Sequence, residues 1–335
     1  MLDISGESLI NMDNYLTIEA IEDGLTASLS LNTCEYCVDG DGNWKTLSAG
    51  TATESINSGQ TLSFRGNLAP NSSKGIGTLT INKKCNLKGN CVSMLFGNNA
   101  ADNYSLSGKS YAFYKLFYNC SNIVNVSSNF LPATTLITYC YTNMFYGCTN
   151  LTTAPKLPAT SLAISCYQGM FGGCTNLTTA PELPATSLST YCYTHMFYNC
   201  TSLTTTPELL ATMLAEGCYY GMFYGCTHLT TAPELPATSL AISCYYNMFY
   251  DCANLTTAPE LPAPMLVGGC YSSMFQGCNK LNYIKMLATD IPTSGCLDNW
   301  VYNVSSTGTF IKNAAMTSLP TGDSGIPSGW TVQNA

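Results

Sequence analysis

Charge is what this chain has least of. Only 10% of its 335 residues are Asp, Glu, Lys or Arg, against about a quarter in an ordinary soluble domain. The balance is acidic, 20 carboxylates against 12 Lys and Arg for a net −8. No basic cluster occurs, so a phosphate backbone finds little to hold and nucleic acid is not an expected partner. Histidine is scarce, with 2 in the chain, which leaves few candidates for the commonest general base. No run reaches the roughly 18 apolar residues of a membrane span, so no membrane insertion is expected. Residues 1–5, Met-Leu-Asp-Ile-Ser, have neither the basic start nor the apolar run of a secretory signal. An exported protein would carry its signal outside this sequence or leave by another route.

Cysteine, by contrast, is plentiful, and it reveals the organisation. One column runs Cys140, Cys166, Cys192, Cys218, Cys244, Cys270 and Cys296, each 26 residues after the last. A second runs Cys148, Cys174, Cys200, Cys226, Cys252 and Cys278 at the same spacing, with Cys120 one longer step before it. Between them the text recurs almost letter for letter: Leu-Thr-Thr-Ala-Pro-Glu-Leu-Pro-Ala-Thr-Ser-Leu stands at 177–188 and again at 229–240. A fixed period of this length marks a repeat architecture.

Each repeat divides in two. Leu162, Cys166, Met170 and Cys174 are spaced by four with Phe171 beside them, which predicts one face of a short helix. The following Thr-rich stretch with Pro181 and Pro184 cannot continue a helix and predicts a short strand. Strands of successive repeats then pair in parallel about 4.8 Å apart, joined by right-handed crossovers. Stacking turns Leu151, Leu177, Leu203, Leu229, Leu255 and Leu281 into one interior ladder, and Phe145, Phe171, Phe197, Phe223, Phe249 and Phe275 into another. The expected fold class is an α/β repeat: a right-handed solenoid like that of leucine-rich repeats, with short parallel strands and short helices. It occupies 120–295, behind a degenerate capping repeat at 86–119 and before a C-terminal cap at 296–335, where Trp300 and Val301 take the Met-Phe positions. Residues 1–85 differ in kind. The runs 15–21, 25–31, 61–65 and 77–82 alternate apolar and polar residues, with Asp39-Gly40-Asp41-Gly42-Asn43 as a hairpin tip, and predict a small all-β, sandwich-like domain.

The pattern Cys-Tyr-x-x-Met-Phe-x-Gly-Cys-Thr-x-Leu-Thr-Thr-Ala-Pro resembles the BspA-type leucine-rich repeat, whose shorter units carry an aromatic-x-x-Cys-x-x-Leu core. The resemblance covers about 120–300, with a longer spacing and extra prolines as departures. It implies adhesion, as in surface and secreted proteins of host-associated bacteria, and it brings no catalytic residues. Similar arrays occur among bacteriophage structural genes, so a virion component such as a tail-fibre or receptor-binding subunit is the alternative.

Chemistry finds little purchase. His195 and His228 are outliers in their columns, expected on the surface and without a third partner for a catalytic set. The array's cysteine spacings of 8 and 18 match no zinc pattern, and buried thiols acting as small hydrophobes explain them better. Cys34, Cys37, Cys85 and Cys91 are the only set that resembles four ligands, and a local disulfide pair or core thiols explain them better than zinc. Asp39, Asp41 and Asn43 imitate a calcium loop, but Trp44 stands where that loop needs Gly and Gly50 where it needs Glu. We therefore expect no metal, no cofactor and no enzyme. Glu182, Glu208, Glu234 and Glu260 form a column with Lys156 at its head, a candidate site for a cation or a basic partner. On a helical wheel with Met170 inside, positions 168 and 172 face outward. Later repeats place Tyr198, Tyr220, Tyr224, Tyr246 and Tyr250 there. Grouped exposed tyrosines favour recognition, so these five are the expected binding residues. The expected partner is a host protein or glycan on a cell surface or matrix, and the expected location extracellular or on the cell surface.

Overall fold

The computed structural model describes residues 11–291 and 295–335, so the expectation about residues 1–5 lies outside the described residues. The N-terminal part is built on strands β1 (Leu16–Ala20), β2 (Ala27–Leu29), β3 (Cys34–Val38), β4 (Lys45–Leu47), β5 (Thr61–Arg65), β6 (Leu79–Ile81) and β7 (Cys85–Gly89). The alternation read from the sequence is visible in β6, where Leu79 and Ile81 are buried and Thr80 between them is exposed. Residues 39–43 turn between β3 and β4, which pair antiparallel. A two-stranded ladder of β2 and β6 accompanies a six-stranded sheet of order β4-β3-β5-β1-β7-β8, in which β8 is Ile123–Val126. That sheet continues past the expected edge near residue 85. β7 pairs antiparallel with β1 on one side and parallel with β8, from the first full repeat, on the other. One buried cluster therefore runs without a break from Leu16 to Trp330.

The expected helices are absent from the described residues of the repeats. An α-helix would bond each N–H to the fourth carbonyl back. Here alternate N–H groups do something else. Met170 N–H donates three residues back to Tyr167 (3.2 Å) and Gly172 N–H to Gly169 (3.1 Å), whereas Phe171 N–H donates to Met196 of the next repeat (3.0 Å) and Gly173 N–H to Tyr198 (2.6 Å). The segment is a ribbon of successive turns, and its other backbone groups form a ladder between repeats. Every fourth residue has positive φ, as the third residue of a type II turn requires: Ser165 (50°), Gly169 (59°) and Gly173 (71°), then Tyr191, His195 and Asn199 one repeat later. This gives a true period of four. Cys166, Met170 and Cys174 are all inside, as expected, although not through a helical phase.

The strands are also shorter than expected. Thr179 bridges Thr205 and Thr231 bridges Thr257, in parallel and 26 residues apart, but as single bridges. Proline is the reason, because it has no N–H to donate to a ladder. Pro181, Pro207, Pro233 and Pro259 stand two residues after those threonines. Where the equivalent residue is not proline, four-residue strands form: β8 at one end and β9 (Tyr283–Met286) at the other. β9 continues into a parallel sheet with β10 (Thr309–Lys312) and β11 (Thr331–Asn334), in the order β11-β10-β9.

Stacking fills the interior. The Leu and Phe ladders are completely buried. Consecutive Phe rings from Phe145 to Phe275 lie face to face with centroids 5.7–5.8 Å apart. A second stack joins the buried rings of Tyr141, Tyr167, Tyr193, Tyr219, Tyr245 and Tyr271. Trp300 ends the Phe column by tilting: it meets Phe275 at 55° and Phe310 at 88°, and its indole N–H donates to Gly325 O (2.8 Å).

Candidate recognition surface

The turn ribbon presents one long face, and its backbone dictates which residues appear there. At positive φ most residues other than Gly, Asn and Asp are disfavoured, and these columns are rich in Gly and Asn, with Asp251 among them. A further steric rule links neighbouring repeats. The side chains of Asn143, His195, Asn199 and Asp251 lie over Gly169, Gly221, Gly225 and Gly277 of the following repeats, in the space where a Cβ would stand.

The predicted tyrosines stand on this face, half-buried rather than fully exposed. They touch each other along the stack. Tyr220 and Tyr246 stack at 4.8 Å and 9°, Tyr224 and Tyr250 at 4.4 Å and 4°, and Tyr198 leans on Tyr224 at 5.0 Å. The column of Tyr198 also contains Tyr118 and Tyr146, stacked at 5.3 Å, which sequence reasoning missed. Counting back 26 residues from Gly172 would have found Tyr146. Burial raises the pKa of Tyr220 and Tyr224, and the neighbouring phenols Tyr246 and Tyr250 add to the effect. The rings thus show solvent mainly edges and hydroxyls, a polar rim on an aromatic wall.

His195 belongs to this wall. It was expected on the surface but is half-buried, edge-on to Tyr198 (5.5 Å) and Tyr220 (5.1 Å), and burial lowers its pKa. His228 is exposed, with Nδ1 2.6 Å from Thr201 O. Asn254 makes the same bond to Thr227 O at 2.7 Å, so His228 substitutes for an asparagine that ties two repeats together.

The cysteines are buried, and those from Cys140 to Cys278 are free. The second column has a bonding role. Cys174, Cys200, Cys226, Cys252 and Cys278 each donate S–H to the carbonyl of the Phe column one repeat back, at 3.0–3.2 Å. Each of those carbonyls already accepts the N–H of its own repeat's cysteine, so the thiol occupies its second lone pair. Burial pushes Cys140, Cys200 and Cys218 up to about 12. Cys34, Cys37, Cys85 and Cys91 are all buried, and burial raises the pKa of each thiol. No group of three or more His, Cys, Asp or Glu able to hold a metal ion occurs among the described residues. No helix among them is long and apolar enough to cross a membrane.

On another face, Glu182, Glu208, Glu234 and Glu260 are exposed, and Glu260 pairs with Lys285 at 2.8 Å. Two adjoining hollows lie between these carboxylates, walled by Pro184, Pro207, Pro233 and Leu210.

The family model described as the BspA type leucine rich repeat region fits residues 110–207 and 218–299, in 6 copies. No curated protein matches the chain.

Proposed function

From the premise that this chain belongs to the BspA-type leucine-rich repeat family, we propose that it is a non-enzymatic adhesion module, displayed on a bacterial surface or secreted. Its partner is a host protein or glycan on a cell surface or matrix. We read the stacked repeats as a right-handed solenoid that holds a recognition face rigid, with the N-terminal sheet as attachment or spacer. The observation that carries this reading is the tyrosine wall. Tyr198, Tyr220, Tyr224, Tyr246 and Tyr250 lie in two columns, one of which other repeats fill with Thr142, Gln168, Thr194 and Ser272, and the other with Tyr146, Gly172 and Gln276. Rigid aromatic area beside hydroxyls and amides suits protein or glycan recognition at low entropic cost. The nearly uncharged surface suits contacts that do not depend on ion pairs.

The test replaces Tyr220, Tyr224, Tyr246 and Tyr250 together with Ser. The two stacked pairs are worth about 0.5–1.5 kcal/mol each, so the variant should stay folded with a modestly lower melting temperature. Its adhesion to host cells or matrix should fall by at least tenfold. Unchanged adhesion would move the binding site to the Glu- and Pro-lined face.

A further inference from the structure

The columns of the Glu-bearing face change residue type at their start. Lys156 stands at the head of Glu182, Glu208, Glu234 and Glu260, and Asn129 at the head of Pro155, Pro181, Pro207, Pro233 and Pro259. Lys156 and Asn129 are exposed, so interior packing dictates neither exchange. Both line one hollow of about 510 Å3, where the N-terminal part meets the first repeats, together with Asp13, Asn14 and Tyr104. Tyr104 is 52% exposed. Its carbonyl accepts the N–H groups of Thr134 (2.8 Å) and Thr135 (3.1 Å), which fixes its backbone against the array. Lys156 has no carboxylate partner among the described residues, where the ion pairs are Lys45–Glu54, Arg65–Glu35, Lys88–Glu19 and Lys285–Glu260.

We propose that this hollow binds a sugar bearing a carboxylate, such as a terminal uronic acid of a glycan. Its volume lies within the roughly 300–1,000 Å3 of small-molecule sites. The Lys156 ammonium has donors and no acceptor, and it pairs with the carboxylate. The exposed Tyr104 ring gives the C–H face of the sugar a rigid apolar platform. The Asn14 and Asn129 amides can each donate and accept, as ring hydroxyls require. Asp13 is acceptor-only. It takes a hydroxyl proton and repels further negative charge, which favours a monoanion over a sugar phosphate of charge about −1.5 to −2. The hollows further along the same face are lined by Glu182 and Glu208 and by Glu208 and Glu234, whose carboxylates repel such a ligand. The site uses none of the five tyrosines of the wall. It therefore goes beyond the recognition reading, and each can fail alone.

Saturation-transfer NMR on the full chain tests this by comparing methyl glucuronide with methyl glucoside, which differ only in a carboxylate against a hydroxymethyl group. The glucuronide should receive transfer at its ring protons and bind at least tenfold more tightly than the glucoside. Lys156→Glu installs the residue that the next four repeats carry in this column. The melting temperature should therefore hold while glucuronide binding falls at least tenfold. Lys156→Gln serves if that variant does not fold, with the same loss expected. The four-tyrosine variant should bind the glucuronide as the wild type does, whatever happens to its adhesion. No transfer to the glucuronide, equal binding of the two glycosides, or unchanged binding by the Lys156 variants overturns the proposal. N-Acetylalanine carries a carboxylate without the sugar ring, and its binding as tightly as the glucuronide overturns the sugar assignment. Glucuronide binding lost in the four-tyrosine variant overturns the placement of the site.

Discussion

Phe223→Ala tests the stack most directly. Phe223 is fully buried, and both faces of its ring are occupied, by Phe197 and Phe249, each at 5.7 Å. Removing a buried Phe costs about 3–5 kcal/mol through lost transfer energy and the cavity left behind. Each aromatic contact adds about 0.5–1.5 kcal/mol beyond area. Two lost stacks place this site in the upper half of the range, about 4–5 kcal/mol. The loss falls on two interfaces at once, between the repeat of Phe223 and its neighbours on either side. In a stack held by neighbour contacts, a weakened interior interface uncouples the parts it joined. Urea unfolding followed by circular dichroism should therefore change from one transition to two, with the first at lower denaturant. A loss under about 2 kcal/mol, or a single transition shifted as a whole, would refute nearest-neighbour stability carried by the ring ladder.

Further expectations concern thiols, pH and backbone. Without reductant, the thiols from Cys140 to Cys278 should be inert in the folded protein and mostly titratable after denaturation; near-zero reactivity then would mean disulfides. Thiols such as Cys140, Cys200 and Cys218 are pushed from an ordinary 9.0 to about 12 by burial. The unfolded chain therefore loses these protons first as pH rises. Their contribution to stability is complete below about pH 9 and is lost as pH climbs through about 12. Urea midpoints measured from about pH 7 to about pH 11 should be level and then fall, and a midpoint rising above about pH 9 would contradict this. His195 sits at φ 52°. His195→Gly should be near neutral, whereas the β-branched His195→Val should cost about 1–2 kcal/mol, read from the same denaturation curves.

The period, the columns and the buried Leu, Phe, Met and Cys sets were legible because stacking forces each interior position to repeat. The local structure was not. Cys166, Met170 and Cys174 at steps of four can be read as a helix, yet a 3.6-residue turn drifts about 40° per such step. A column kept strictly at four, with Gly, Asn, Asp or Ser recurring at 165, 169, 173 and their equivalents, is the signature of consecutive turns. Proline carried a double message. Pro181 excluded helix, but its missing N–H also limits the strand to a single bridge at Thr179. In the N-terminal part, β3 breaks the alternation, since Tyr36 and Cys37 are buried in succession, whereas β7 alternates over only Cys85 to Lys88, too short a run to stand out. The tyrosines were expected to be exposed and are half-buried, because their mutual stacking depends on the distance between repeats, which no single column reveals.

The pairing of side chain over glycine bears on how such a gene changes length. Asn199 covers Gly225 and Asp251 covers Gly277, so in this part of the column the occupied and vacant positions alternate. Removing one 26-residue unit, residues 203–228, would set Asn199 against Asp251, two side chains competing for the same space. Removing or duplicating two units keeps a filled position facing an empty one. The near-identical text at 177–188 and 229–240 is separated by that distance. Over residues 199–277, recombination should therefore be tolerated better in pairs of repeats than singly.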